Sequence, residues 1–117
     1  MFYKWQVNEE KEYKLRLTTE AIMECEEKLG CNILMVLENG MPALKTTLDI
    51  IHFSMKKYNA GITRKDLNNI YDEYIENGGT HIQFFTEVFM GVFQKSGFFS
   101  EAQVQTMQQA EAKTKKK

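Results

Sequence analysis

Hydrophobic and polar positions alternate along the first seventeen residues. Tyr3, Trp5 and Val7 are separated by Lys4 and Gln6, and Tyr13, Leu15 and Leu17 by Lys14 and Arg16. Between the two runs lies the charged stretch Asn8-Glu9-Glu10-Lys11. A period of two on both sides of a short polar connection predicts a β-hairpin with one buried face. A hairpin alone is marginal in water, so this one is expected to lie on the rest of the chain.

From Thr18 the period becomes helical. Ala21, Ile22, Cys25 and Leu29 share one face, Thr18 or Thr19 can cap the start above Glu20, and Gly30 stands where a C-cap glycine belongs. The compact run Ile33-Leu34-Met35-Val36-Leu37, ended by Glu38-Asn39-Gly40, fits either a helical turn or a buried strand. Pro42 is expected at the first position of the next helix. Its stripe is Leu44, Leu48, Ile51, Met55 and Tyr58, and Asn59-Ala60-Gly61 stops it. Thr63 with Asp66 has capping-box spacing for a helix carrying Leu67, Ile70, Tyr71 and Tyr74, which Asn77-Gly78-Gly79 ends. Thr80 with Gln83 repeats that spacing before Ile82, Phe85, Val88, Phe89, Val92 and Phe93, and Ser96-Gly97 closes the last core helix.

The expected architecture is therefore mainly α: a small helical domain of four to five helices behind an N-terminal β-hairpin, over residues 1–99. Residues 100–117 read as a polar tail, helical at first because Ser100 and Gln103 have capping-box spacing, and disordered over AEAKTKKK. No internal repeat is present.

The length of 117 residues suits one core. Fifteen basic against sixteen acidic residues give a formal charge of −1, without the basic excess of a typical nucleic-acid binder. No stretch reaches the roughly 18 apolar residues needed to cross a bilayer. The beginning, MFYKWQVNEE, has charges breaking its apolar residues and does not read as a secretory signal, so a cytoplasmic location is expected.

The chemistry-bearing residues form no recognisable constellation. Cys25 and Cys31 lack the further Cys or His at matched spacing that a metal site needs, and Cys25 reads as a small core residue. His52 and His81 stand apart, inside one helix and in the first turn of another. No serine occupies a G-x-S-x-G elbow, and Gly78-Gly79-Thr80 follows a helix where a phosphate-binding loop follows a strand. The run from Lys65 to Asp72 is broken by Leu67 and Ile70 and is no calcium loop. Glu20, Glu24, Glu26 and Glu27 read as a solvated helix face, and Lys115-Lys116-Lys117 as a solubilising end. No enzymatic activity, cofactor or metal is expected.

Aromatic rings are the unusual feature: eight Phe, five Tyr and Trp5. On a helix Phe84 falls about 100° from Phe85, so one stripe does not hold both. Phe2, Trp5, Phe84, Phe98 and Phe99 are the rings one core stripe explains least. They are the candidate partner-binding residues, since exposed apolar patches mark interaction surfaces. Self-association is compatible with such a surface.

The segment Tyr13-Lys-Leu-Arg-Leu-Thr-Thr-Glu-Ala-Ile-Met-Glu-Cys-Glu-Glu-Lys-Leu-Gly30 is a strand running into an acidic helix that stops at Lys-Leu-Gly. A second segment, Asp72-Glu-Tyr-Ile-Glu-Asn-Gly-Gly79, precedes an aromatic helix ending at Gly97-Phe98. Together, over residues 13–99, this pattern resembles the tail assembly chaperones of long-tailed bacteriophages and of prophages in Gram-positive bacteria. The resemblance implies a non-enzymatic protein of the host bacterial cytoplasm, made during tail morphogenesis and absent from the finished virion. It implies that the chain binds and solubilises the tape measure protein and helps recruit tail tube subunits. A longer form made by ribosomal frameshifting is common in that family, and Lys113-Thr-Lys-Lys-Lys117 is compatible with an A-rich slippery site. The family supplies no catalytic residues to carry over. The competing expectation is a small helical DNA-binding adaptor or regulator, with the helices at 63–77 and 80–95 as a helix pair; the second carries aromatics where base-reading residues belong.

Overall fold

Thr18 and Gly30 delimit the first helix, α1 (Thr19–Leu29), as the pattern predicts. The Thr18 hydroxyl accepts the Ala21 N–H, and Gly30 adopts the left-handed conformation at φ 75°, donating its N–H to the Glu26 carbonyl. The computed structural model describes residues 1–38 and 40–98. Phe99 and the tail from 100 to 117, with the expectations that fall on them, lie outside the described residues.

Strands β1 (Tyr3–Gln6) and β2 (Glu12–Leu15) form the antiparallel hairpin, with Tyr3 opposite Leu15 and Trp5 opposite Tyr13. Trp5, Val7, Leu15 and Leu17 are buried on one face, as the alternation requires. The hairpin is tied down at several points. Arg16 donates its backbone N–H to the Ser54 carbonyl at 2.8 Å, and the Leu17 N–H reaches the Ser96 hydroxyl at 2.9 Å. Asn59 Nδ2 donates to the Lys14 carbonyl at 2.8 Å, while the Asn8 amide and Lys11 both hold the Glu73 carboxylate.

The run Ile33–Leu37 is a short 3₁₀ turn. Asn32 caps it through the Leu34 N–H, and Glu26 Oε2 accepts the Ile33 N–H at 2.9 Å, so one carboxylate of the acidic helix face has a structural task. Helix α2 (Leu44–Met55) starts two residues after Pro42 and has no side-chain cap; the proline precedes the helix instead of opening it. It also ends at Met55, before Tyr58. Leu48, Ile51 and Met55 of the expected stripe are buried, but so are Thr47, Asp49, Ile50, Phe53 and Ser54, while Leu44 and Tyr58 are exposed. The helix is central, packed by α1, β2 and α3 (Arg64–Glu76), and a single-stripe reading underestimates it. In α3 the capping box of Thr63 and Asp66 is complete, and Leu67, Ile70, Tyr71 and Tyr74 are all buried.

The last helix has three consecutive parts: α4 (His81–Gln83), a π-helical stretch (Phe84–Phe89) and α5 (Met90–Lys95). Together they are called the C-terminal helix. Thr80 caps it by accepting the Gln83 N–H at 3.0 Å. In the π stretch each turn takes more residues, so successive side chains are rotated less and a wider set faces inward. Phe84, Phe85, Val88 and Phe89 are all buried there. The architecture is thus mainly helical with an N-terminal hairpin, and the described residues share one hydrophobic core. No described helix is long and apolar enough to cross a membrane.

Candidate functional site

Two helix starts converge on one concavity. Met41, Pro42, Leu44 and Thr47, from the entry to α2, face His81, Phe84 and Phe85 from the first turns of the C-terminal helix, around a pocket of about 220 Å³. Its floor is core: Thr47, Phe84 and Phe85 are buried. Its walls are open, with Met41 45% and Leu44 43% exposed. Ile82, beside His81 in sequence, is 52% exposed, and Leu34 and Met35 are exposed on the 3₁₀ turn that leads towards Met41. At the pocket itself Met41 and Leu44 are the large apolar side chains left in solvent, and such exposure is the usual mark of an interaction surface. Methionine suits such a place because its unbranched, polarisable side chain adapts to different partners.

The polar groups at this pocket are few. Tyr71 Oη and His81 Nδ1 are 2.5 Å apart, and their rings stack at 5.5 Å. Burial pushes the Tyr71 phenol above its ordinary value, so it stays protonated and can donate to Nδ1. Thr47 turns inward, donating its hydroxyl to the Ala43 carbonyl at 3.1 Å. The other histidine, His52, meets the Ile62 carbonyl through Nε2 at 2.9 Å and serves the loop after α2.

Charged side chains do not converge on the pocket. The buried Asp49 is held by Arg64 Nε at 2.7 Å and Lys45 Nζ at 3.0 Å, with Lys28 at 4.0 Å. Burial works to raise its pKa, but these donors outweigh burial and leave the carboxyl below its ordinary value. A second, polar cleft is lined by Arg16, Thr18, Thr19, Glu20, Glu24, Lys56 and Lys57. Lys56 and Glu24 pair there at 3.4 Å. Among the described residues no three His, Cys, Asp or Glu side chains stand together as metal ligands. Cys25 is a buried free thiol, pushed up to about 11 chiefly by burial and secondarily by Asp49.

Of the rings expected at a partner surface, two are core. Trp5 and Phe84 are each 1% exposed and meet at 5.2 Å between centroids, within a cluster that includes Tyr71 and Tyr74. The hairpin folds over the side of the C-terminal helix that carries Phe84, so Trp5 is enclosed and Phe84 reaches only the floor of the pocket. Phe2 is half-buried against Tyr58 at 5.3 Å, under the Lys14 ammonium, and Phe98 is half-buried against Phe93 at 4.9 Å. These two sit apart from the pocket lining. The sequence pattern places Leu44 and Ile82 on core stripes and singles out none of Met41, Leu34 and Met35 as exposed. For Leu44 and Ile82 the signal is position: both lie in the first turn of a helix, where a stripe can run past the core that covers it.

A family model described as "Family of unknown function (DUF6096)" matches residues 4–115 of the chain. No curated protein and no solved structure matches it.

Proposed function

The chain belongs to the DUF6096 family, and we propose that this member is a non-enzymatic assembly chaperone of phage or prophage tails. It binds the tape measure protein in the host cytoplasm, keeps it soluble and helps recruit tail tube subunits. The observation that carries the reading is the exposed apolar rim of Met41 and Leu44 over a pocket floored by Phe84 and Phe85, with Ile82, Leu34 and Met35 also in solvent. A groove of this kind takes the apolar face of an amphipathic helix, which is what a long helical client has to have masked before it assembles. The segment pattern shared with tail assembly chaperones supports the choice of client. The residues offered for contact are Met41, Leu44 and Ile82; Phe2 and Phe98 are half-buried and lie outside the pocket lining.

The alternative, a DNA-binding adaptor using α3 and the C-terminal helix, is less well supported. The aromatic side of that second helix is packed inside, and its exposed positions, His81, Ile82, Gln83, Glu87 and Lys95, mix an apolar and an acidic residue with few donors. A recognition helix needs donors and basic residues free to enter a groove.

Co-expression with the tape measure protein encoded downstream tests the proposal. The expected result is that the client stays in the soluble fraction and co-purifies with this chain. Neither co-purification nor any gain in client solubility would overturn it.

A further inference from the structure

The two outer edges of the hairpin are not equivalent. Across an antiparallel pair, the backbone groups of successive residues turn alternately towards the partner strand and away from it. The Val7 N–H bonds to the Lys11 carbonyl at 2.9 Å, which fixes the phase: in β1 the N–H and C=O of Lys4 and Gln6 face away from β2. At the opposite edge, the Lys14 carbonyl is taken by Asn59 Nδ2 and the Arg16 N–H by the Ser54 carbonyl, both at 2.8 Å. Among the described residues no group meets the outward ones of Lys4 and Gln6, and both residues are exposed.

The outer face of the same hairpin is positive. Lys4 stands directly opposite Lys14, and like charges so placed repel. Arg16 follows on that face, with Lys57 beside it in the polar cleft. Among the described residues none of these four cations forms an ion pair. The acid on this face of the strands, Glu12, sits opposite Gln6 at the turn end. Of the two acids in the cleft, Glu20 and Glu24, the second is held by Lys56 at 3.4 Å.

We infer that β1 takes an acidic, extended segment of a partner protein as a third strand, with an outward acidic residue beside Lys4 and in the field of Lys14. The free edge selects a polypeptide: its alternating donors and acceptors are matched by another strand, whereas phosphates supply acceptors alone. The unpaired lysines select the sign. A lysine on an edge ordinarily keeps other strands off. It does so against a second copy of this chain, which brings the same lysine, and an acidic strand turns that repulsion into attraction.

The test uses the full chain with two extended peptides of equal length, alternating threonine with glutamate in one and with lysine in the other. A single-stranded oligonucleotide is the third probe. Fluorescence anisotropy is expected to give about three- to tenfold tighter binding of the Glu peptide, the worth of two exposed ion pairs, with the difference shrinking at high salt. Amide exchange followed by NMR is expected to slow at Lys4 and Gln6 when that peptide is bound. The double substitution Lys4→Glu with Lys14→Glu, at two exposed positions, is expected to leave Trp5 emission unchanged and to reverse the preference. Gln6→Pro removes an outward N–H and no ladder bond, and is expected to weaken binding of both peptides. Equal affinity for the two peptides, unslowed exchange at Lys4 and Gln6, or a preference that survives the double substitution overturns the inference. So does tighter binding of the oligonucleotide that the double substitution abolishes, which assigns the positive face to nucleic acid. The chaperone reading rests on the apolar rim and stands or falls separately.

Discussion

Trp5 on β1 and Phe84 on the C-terminal helix meet edge to face with 5.2 Å between ring centroids. The contact joins the hairpin to the helical part and is closed on its other sides by Tyr71 and Tyr74. Edge-to-face pairs add about 0.5–1.5 kcal/mol to the burial of the rings themselves. Phe84→Ala is therefore expected to cost about 3–5 kcal/mol, the range for a large aromatic removed from a core. Urea unfolding followed by Trp5 emission measures it directly, since Trp5 is the single tryptophan and is buried. A loss under about 1 kcal/mol would mean that the cluster is loosely packed.

Gly91 carries the opposite expectation from its helix propensity. Alanine normally improves a helix interior by about 1 kcal/mol over glycine. Here a Cβ would stand 2.5 Å from the Tyr3 ring, so the ring must shift from its place against the helix. Gly91→Ala should be destabilising, by about 1–3 kcal/mol as in other overpacked sites. Adding Tyr3→Ala should recover part of that loss, which a double-mutant cycle would read as coupling.

Asp49 predicts acid sensitivity. Burial alone would raise its pKa, but Arg64, Lys45 and Lys28 bring it below the unfolded value. The charged form is thus favoured by folding: its contribution is present above the unfolded carboxylate range near about pH 4 and disappears as pH falls through the lower folded pKa. Asp49→Asn should lower stability at pH 7 by about 1–3 kcal/mol, the worth of hydrogen bonds to a charged group. It should also flatten the acid limb of stability against pH. Denaturation midpoints of both proteins between pH 7 and pH 2 give the comparison, and an unchanged acid limb would remove Asp49 as its cause.

The two thiols should differ in reactivity. Cys25 is fully buried and its pKa is pushed up to about 11, chiefly by burial, so little thiolate forms near neutrality. Cys31 is only partly covered. Iodoacetamide at pH 8 is expected to modify Cys31 in the folded protein and Cys25 only after unfolding, read by peptide mass mapping. Comparable rates at both positions would contradict the packing of α1.

The exposed rim separates binding from stability. Ile82→Ser removes an apolar group that is 52% in solvent and should change stability by no more than about 0.5 kcal/mol. If the chain is the proposed chaperone, the same substitution should weaken capture of the tape measure protein in pull-down. Undiminished capture would move the contact surface away from the start of the C-terminal helix.

Sequence by itself determined the features that depend on neighbours a few positions away. The alternation that buries Trp5, Val7, Leu15 and Leu17, the cap and stop of α1 at Thr18 and Gly30, the Thr63–Asp66 box and the α3 stripe all follow from short-range geometry. The tertiary structure alone decided which residues a second neighbouring element would cover. It placed Phe84 under the hairpin, wrapped α2 until even Asp49 was enclosed, and left Leu44 and Ile82 beyond the edge of the core. Period and caps state which way a side chain points along its own helix. Whether anything stands there to bury it depends on chain brought back from tens of residues away, and no local pattern encodes that return.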